Sequence, residues 1–345
     1  MGVATNIQNS NLESIKELGV TIYHVPFSRN LIDQGNITSY RIIKKIIKNY
    51  HILHLHTPIS SFITRMASSR AHKVIYTVHG FHFNENGRWL TNLLFLTSEK
   101  IGGLKTTKLI LTNHDDLKIA EKIVSKEKIN YVNGIGVNTV IYNSDHYSEE
   151  DKQAIKLELG LDLNKKILTH IAEFNDNKRQ LDIVNACERI KERTQNFIIL
   201  LVGNGENFDS IQKMINEREL DGYIKCLGFR SDIPRIVSIA DMGLLVSIRE
   251  GLPRSIMEMM AMKVPVIATN IRGNRDLIVN GENGYLVPIK DEVQIAEKCL
   301  TLLTNESLCK QFGEVGKEKI ESLFSLNKVL DQMEMIYRDI GLIQE

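Results

Sequence analysis

The stretch from Ser247 to Thr269, SIREGLPRSIMEMMAMKVPVIAT, constrains this chain more than any other. It opens on a turn made of Glu250, Gly251, Leu252 and Pro253. Pro253 suits the first position of a following helix, where its missing N–H would be unsatisfied anyway. Ile256, Met259, Met260 and Met262 give that helix an apolar side, and Val264 to Ala268 reads as a short buried strand. One carboxylate, Glu250, precedes the helix, and a second, Glu258, stands inside it. At ~1.5 Å rise per residue the two lie on the order of 8–12 Å apart along the axis. Between them is a helix N-terminus, whose free N–H groups and partial positive charge suit a phosphate. A phosphate flanked by two hydroxyl-accepting carboxylates is the shape of a sugar-nucleotide site. One Glu would take hydroxyls of the sugar and the other those of the ribose.

Glu250, seven residues, then Glu258, with Gly-Leu-Pro after the first Glu, resembles the E-x7-E signature of family 4 glycosyltransferases. The spacing alone is weak, and its bland alternative is a solvated helix face. The whole string is far more specific. The resemblance implies an α/β chain of the GT-B fold, in which two Rossmann-like domains face each other across a cleft.

A length of 345 residues fits two such domains, each able to bury a core. Hydrophobic content of 43% and charged content of 25% belong to a soluble globular protein. No run approaches the ~18–20 apolar residues of a membrane span, and MGVATNIQNS does not read as a secretory signal. Cys187, Cys226, Cys299 and Cys309 lack C-x-x-C spacing and read as core residues of a reduced cytoplasmic protein. The net charge of +1 hides an asymmetry: residues 1–145 hold 17 Lys and Arg against 10 Asp and Glu, the remainder 26 against 32. A basic first half suits an anionic membrane face or a pyrophosphate-bearing acceptor. It equally suits mutual attraction of two domains of opposite sign.

Residues 1–140 read as a first, acceptor-side domain. The family's opening strand and its glycine-containing loop are not found ahead of Val20, which implies a start too far downstream or a truncated product. Residues 37–50 form a helix with Ile42, Ile43, Ile46 and Ile47 on one face and Arg41, Lys44, Lys45 and Lys48 on the other. That basic face is either simply solvated or a membrane contact. His51, His54 and His56 on one short strand look like a metal comb, but no acidic or Cys partner stands nearby, so a metal is not expected. Val74 to Val78 is a strand ending at His79-Gly80-Phe81-His82-Phe83. The string YTVHGFHF resembles the family's His-Gly turn, which assigns His79 to the donor sugar and reacting centre. His82, Trp89 and Phe95 read as packing or acceptor-side residues, and Asp115-Asp116 as a helix cap.

Residues 141–325 read as the nucleotide-sugar domain, and 326–345 as a last helix returning to the first. After the strand ending near Ala172 the family usually has Gly-Arg-Leu and then a Lys. Lys178 matches that Lys, Glu173 stands where the Arg is expected, and Arg179 is a candidate second cation. Gly203 and Gly205 follow a buried strand and resemble the second phosphate-side turn, while Phe229 lies where the family's backbone nears the nucleotide base. Residues 290–323 read as helical. The resemblance therefore implies Glu250, His79 and Lys178 as catalytic residues. It implies Glu258, Gly251, Leu252, Pro253, Arg179, Gly203, Gly205 and Phe229 as donor-binding residues. The resemblance implies retaining transfer of a sugar from a UDP-sugar to a saccharide or polyprenyl-pyrophosphate-linked saccharide in bacterial surface polysaccharide assembly. No cofactor and no metal are implied, and the chain contains no Asp-x-Asp. No nucleic-acid motif appears. A UDP-sugar epimerase on the same fold and a non-catalytic relative are the alternatives.

Overall fold

The computed structural model describes residues 1–7, 12–28, 33–83 and 89–343. The chain divides into two units, Met1–Val132 with Met333–Glu345, and Asn133–Gln332. The first boundary thus follows Val132, ahead of residue 140. The last helix, Leu326–Asp339, starts in the second unit and finishes in the first.

The first unit contains strands β1 (Gly2–Thr5), β2 (Thr21–His24), β3 (Ile52–His56), β4 (Lys73–Val78), β5 (Lys108–Leu111) and β6 (Ile129–Tyr131). β3 to β6 form one parallel sheet in chain order. β1 and β2 pair in parallel as a separate two-stranded sheet, Gly2 opposite Thr21. Gly2–Thr5 is therefore a strand, but among the described residues none joins it to β3. Ile43 and Ile47 of the basic helical segment bury against Val25, Leu53 and Val74, leaving Lys44, Lys45 and Lys48 in solvent. The buried Arg65 of helix Pro58–Ala67 donates to Glu99 of helix Trp89–Gly103 at 2.8 Å, and the Tyr76 hydroxyl donates to the same carboxylate at 3.2 Å.

The second unit shows why its sheet is parallel. It contains β7 (Lys166–Ile171), β8 (Phe197–Val202), β9 (Ile224–Gly228), β10 (Met242–Leu245), β11 (Val266–Thr269) and β12 (Gly284–Val287). All six residues of β8 are buried: Phe197, Ile199 and Leu201 enter one core, Ile198, Leu200 and Val202 another. A strand apolar on both faces needs helices on both sides, the setting of a parallel sheet. The strand order is β12-β11-β10-β7-β8-β9. The chain runs from β7 outward one way, then returns to β10 and runs outward the other way. That reversal between β7 and β10 is a topological switch point, where the loops beyond the carboxyl ends of strands open a crevice for ligand. The helical stretch expected over 290–323 is divided. Glu292–Leu303 ends, and Glu306–Lys319 begins where the Asn305 side chain accepts from the Leu308 N–H.

Candidate functional site

The loops after β7 and β10 meet at the switch point. Lys178 Nζ donates to Glu250 Oε1 at 2.6 Å, with 21% and 10% of the two side chains exposed. This contact holds because the loops are sewn together. The Ile248 N–H donates to the Asn177 carbonyl at 2.8 Å, and Asn177 Nδ2 donates to the Arg249 carbonyl at 3.0 Å. Asn175 Oδ1 accepts from the N–H groups of Asn177 and Lys178, an Asx turn that aims the lysine. Lys178 and Glu250 are therefore one unit, which their separate places in the sequence did not reveal.

The turns after β7 and β8 zip together in the same way. The Phe174 N–H donates to the Asn204 carbonyl at 2.9 Å, and the Gly203 N–H donates to the Gly228 carbonyl at 2.9 Å. Gly203 has a φ of 140°, and a Cβ there would strike the Ala172 carbonyl, so the close approach requires glycine. Gly205 lies equally close to Phe174. Phe229 follows β9 and is 79% exposed.

Glu258 sits on helix Arg254–Ala261, only 6% exposed. Arg254 Nε donates to its Oε1 at 2.6 Å, and Tyr142 lies beside this carboxylate. Burial, reinforced by that carboxylate, raises the Tyr142 pKa. Arg254 was legible as the i,i+4 partner of Glu258, whereas no local signal marks Tyr142. Pro253 is the N-cap rather than the first helical residue, a shift of one position. Leu252 packs against Gly134, and Gly273, at φ 79°, lies so close to the Gly251 carbonyl that a Cβ would collide with it. The Gly251-Leu252 turn is thus held from two sides.

Arg179 is committed elsewhere. It adopts a left-handed φ of 58° and makes a two-pronged ion pair with the buried Asp182 of its own helix, Gln180–Lys191. Beneath the turn, His170 is fully buried. Its Nδ1–H donates to the Leu244 carbonyl at 2.9 Å, and Gln180 Nε2 donates to its Nε2 at 3.3 Å. Burial pushes this imidazole down to about 4, so it stays neutral and keeps both bonds.

His79 lies in the first unit, just past β4, with its ring partly in solvent. The Phe81 N–H beside it donates to the buried Asp116, itself bonded by Asn113. Asp116 therefore anchors the His-Gly turn as well as the helix start. His82 packs against Phe95, ring centroids 5.4 Å apart. Trp89 is 72% exposed.

The description "Glycosyl transferases group 1" matches residues 151–319, and "Glycosyl transferase 4-like" matches residues 2–113. Glycosyltransferase EpsD of Bacillus subtilis is 32% identical over 322 residues, covering 91% of this chain and 84% of that one. The chain is a family 4 glycosyltransferase. The enzyme is also 27% identical to the Escherichia coli UDP-Gal:alpha-D-GlcNAc-diphosphoundecaprenol alpha-1,3-galactosyltransferase, covering 88% of this chain and 79% of that one. Among solved structures, HepE of Anabaena, determined with UDP and glucose, matches with a TM-score of 0.81. That alignment covers 98% of this chain and 91% of HepE at 17% identity, and it establishes the GT-B fold.

Proposed function

We propose that this glycosyltransferase moves a sugar, with retention of configuration and without a metal, from a UDP-sugar to a hydroxyl of a saccharide acceptor in surface polysaccharide assembly. The acceptor class we favour is a polyprenyl-pyrophosphate-linked saccharide. The observation that carries the reading is the Lys178–Glu250 pair at the switch point. A diphosphate competes with Glu250 for the Lys178 ammonium, and sugar hydroxyls replace the ammonium on Glu250. Positive charge is then in place where the departing diphosphate gains negative charge. Glu258, oriented by Arg254, is suited to accept ribose hydroxyls. The departing phosphate is proposed to take the acceptor's proton, so Glu250 orients the donor and is not a nucleophile. The donor and acceptor named for the E. coli relative support the choice of substrates.

Calorimetry with UDP tests the donor site. Micromolar binding is expected, weakened about tenfold or more in Glu258→Ala, because a hydrogen bond to a charged group is worth about 1.5–3 kcal/mol. A well-folded protein with no UDP affinity would overturn the reading.

Peripheral contact with the inner membrane face is part of this proposal, and helix Trp89–Gly103 supports it beside the lysine helix. That helix and its end expose Trp89, Leu90, Leu93, Leu94, Ile101 and Leu104. The charges in it are the buried Glu99 and the exposed Lys100. Lys128 Nζ reaches the Gly103 carbonyl at its C-terminal end. An apolar face with basic residues at its end and no exposed acid fits an anionic bilayer. Co-sedimentation with phosphatidylglycerol vesicles is expected and should drop severalfold when Leu93 and Leu94 are both replaced by Asp. Unchanged co-sedimentation would place the contact elsewhere.

A further inference from the structure

The pair of histidines on β3 has a use that the donor site does not absorb. β3 and β4 are adjacent and parallel, with His54 opposite Ile75 and His56 opposite Thr77. Residues two apart on a strand share a face. His54, His56, Thr77 and His79 therefore line one face at the carboxyl ends of two neighbouring strands. His54 Nε2 shares a hydrogen bond with Thr77 Oγ1 at 2.8 Å, and its Nδ1 shares one with the Tyr337 hydroxyl at 2.7 Å. With both nitrogens engaged, the His54 ring is fixed, and it lies 4.4 Å from the His56 ring by centroids.

His56 Nδ1 in turn shares a hydrogen bond with His79 Nε2 at 3.0 Å. The two rings are 20° from coplanar, with centroids 5.2 Å apart. The bond consequently runs edge to edge in the ring planes, along the nitrogen lone pair, rather than face to face. Two neutral imidazoles can share one such bond only if one nitrogen carries the proton and the other does not. Burial, with the neighbouring imidazoles adding to it, brings His54 and His56 down to about 4, which keeps both rings neutral at pH 7. Among the described residues, Nδ1 of His79 makes no hydrogen bond.

We infer that His56 is a positioning residue for His79: it occupies Nε2, sets the ring plane and the tautomer, and so leaves Nδ1 as the nitrogen that meets substrate. His54, tied to Thr77 and Tyr337, backs His56. This rests on the reading of His79 as a group at the reacting centre. A ring with one nitrogen held cannot flip to offer the other, so the substrate meets a single, predefined hydrogen-bonding edge. The His-x-His alternation on β3 is thereby explained as a two-ring support for one functional imidazole.

The test uses the full chain with His56→Phe, which keeps a ring but removes both nitrogens, and His56→Gln, which restores a neutral polar group. Turnover in His56→Phe is expected to fall on the order of 30-fold, short of the roughly 10²–10⁴ that loss of an acid–base group costs. KM for the donor should stay within about threefold, since an orienting contact acts on the transition state rather than on binding. His56→Gln should recover most of the loss. In a His79→Ala background, His56→Phe should cost almost nothing more, because the two residues act as one unit. Nitrogen-15 NMR should show a single His79 tautomer in the native enzyme and a mixture in His56→Phe, a readout that needs no turnover. Native turnover in a folded His56→Phe enzyme, or fully additive losses with His79→Ala, would overturn the inference. Full activity in His79→Ala would instead remove the reading of His79 itself, and the NMR result would still decide whether His56 sets its tautomer.

Discussion

Replacing Glu250 by Ala is expected to lower turnover on the order of 10²–10³-fold, comparable to removing one preorganised electrostatic contact at a reacting centre. The same change should leave UDP affinity equal or tighter. Glu250 occupies the Lys178 ammonium at 2.6 Å, and its removal frees that charge for the diphosphate. Lys178→Ala should behave in the opposite way on binding, weakening UDP while also lowering turnover. The split between the two variants separates an orienting carboxylate from a phosphate-binding cation. The double variant should lose less than the sum of the two single losses, since each residue holds the other in place. Turnover at the native level in Glu250→Ala would remove this carboxylate from the mechanism.

Glu99→Ala is expected to destabilise the first unit by about 3–5 kcal/mol, a large share of the roughly 5–15 kcal/mol that holds a domain together. Arg65 is fully buried and Glu99 is 3% exposed. The guanidinium lies over the Tyr76 ring, 4.4 Å from its centroid, and against Gly102, where a Cβ would collide with it. Burial pushes the Glu99 carboxyl up, and Arg65 with the Tyr76 hydroxyl pulls it back. Removing Glu99 leaves a buried positive charge with its main partner gone. Denaturant unfolding followed by a probe in the first unit measures the loss. Arg65→Met added to Glu99→Ala should restore much of it, because the uncompensated charge, rather than the missing contact, carries the cost. Breaking the exposed Glu306–Lys310 pair should cost far less, because solvent screens it, and serves as the control.

Much of the architecture was legible from local pattern. FIILLV at residues 197–202 announced a buried strand, and the structure places it as β8 with one face in each of two cores. The turn and helix around Glu250 and Glu258 stood out because a Gly-Leu-Pro turn, a methionine-rich helix and a buried strand follow one another without a break. Where local pattern misled, the competing physics is identifiable. The helix expected over 290–323 breaks because Asn305 caps a new helix more strongly than Thr304 continues the old one. Of the two roles read for Trp89, packing or acceptor contact, its exposure speaks against packing, because its helix spends its inward side on Glu99, Gly102 and Gly103. Arg179, the candidate second cation beside Lys178, has a left-handed backbone and pairs with Asp182, a contact no local pattern announces.

By itself the sequence determined the order of strands and helices, a length that fits two domains each burying a core, and the residue types available for a sugar-nucleotide site. Those follow from periodicity, turn chemistry and capping, which act over a few residues and can be read from a few residues. Only the tertiary structure decided which of those residues meet. Lys178 and Glu250 are 72 positions apart and touch because β7 and β10 are neighbours at the switch point. His56 and His79 are 23 positions apart and share a hydrogen bond because β3 pairs with β4 in a register that sets His56 opposite Thr77. Strand order and register depend on how whole sheets bury their faces, a sum over many residues that no single stretch of the chain records.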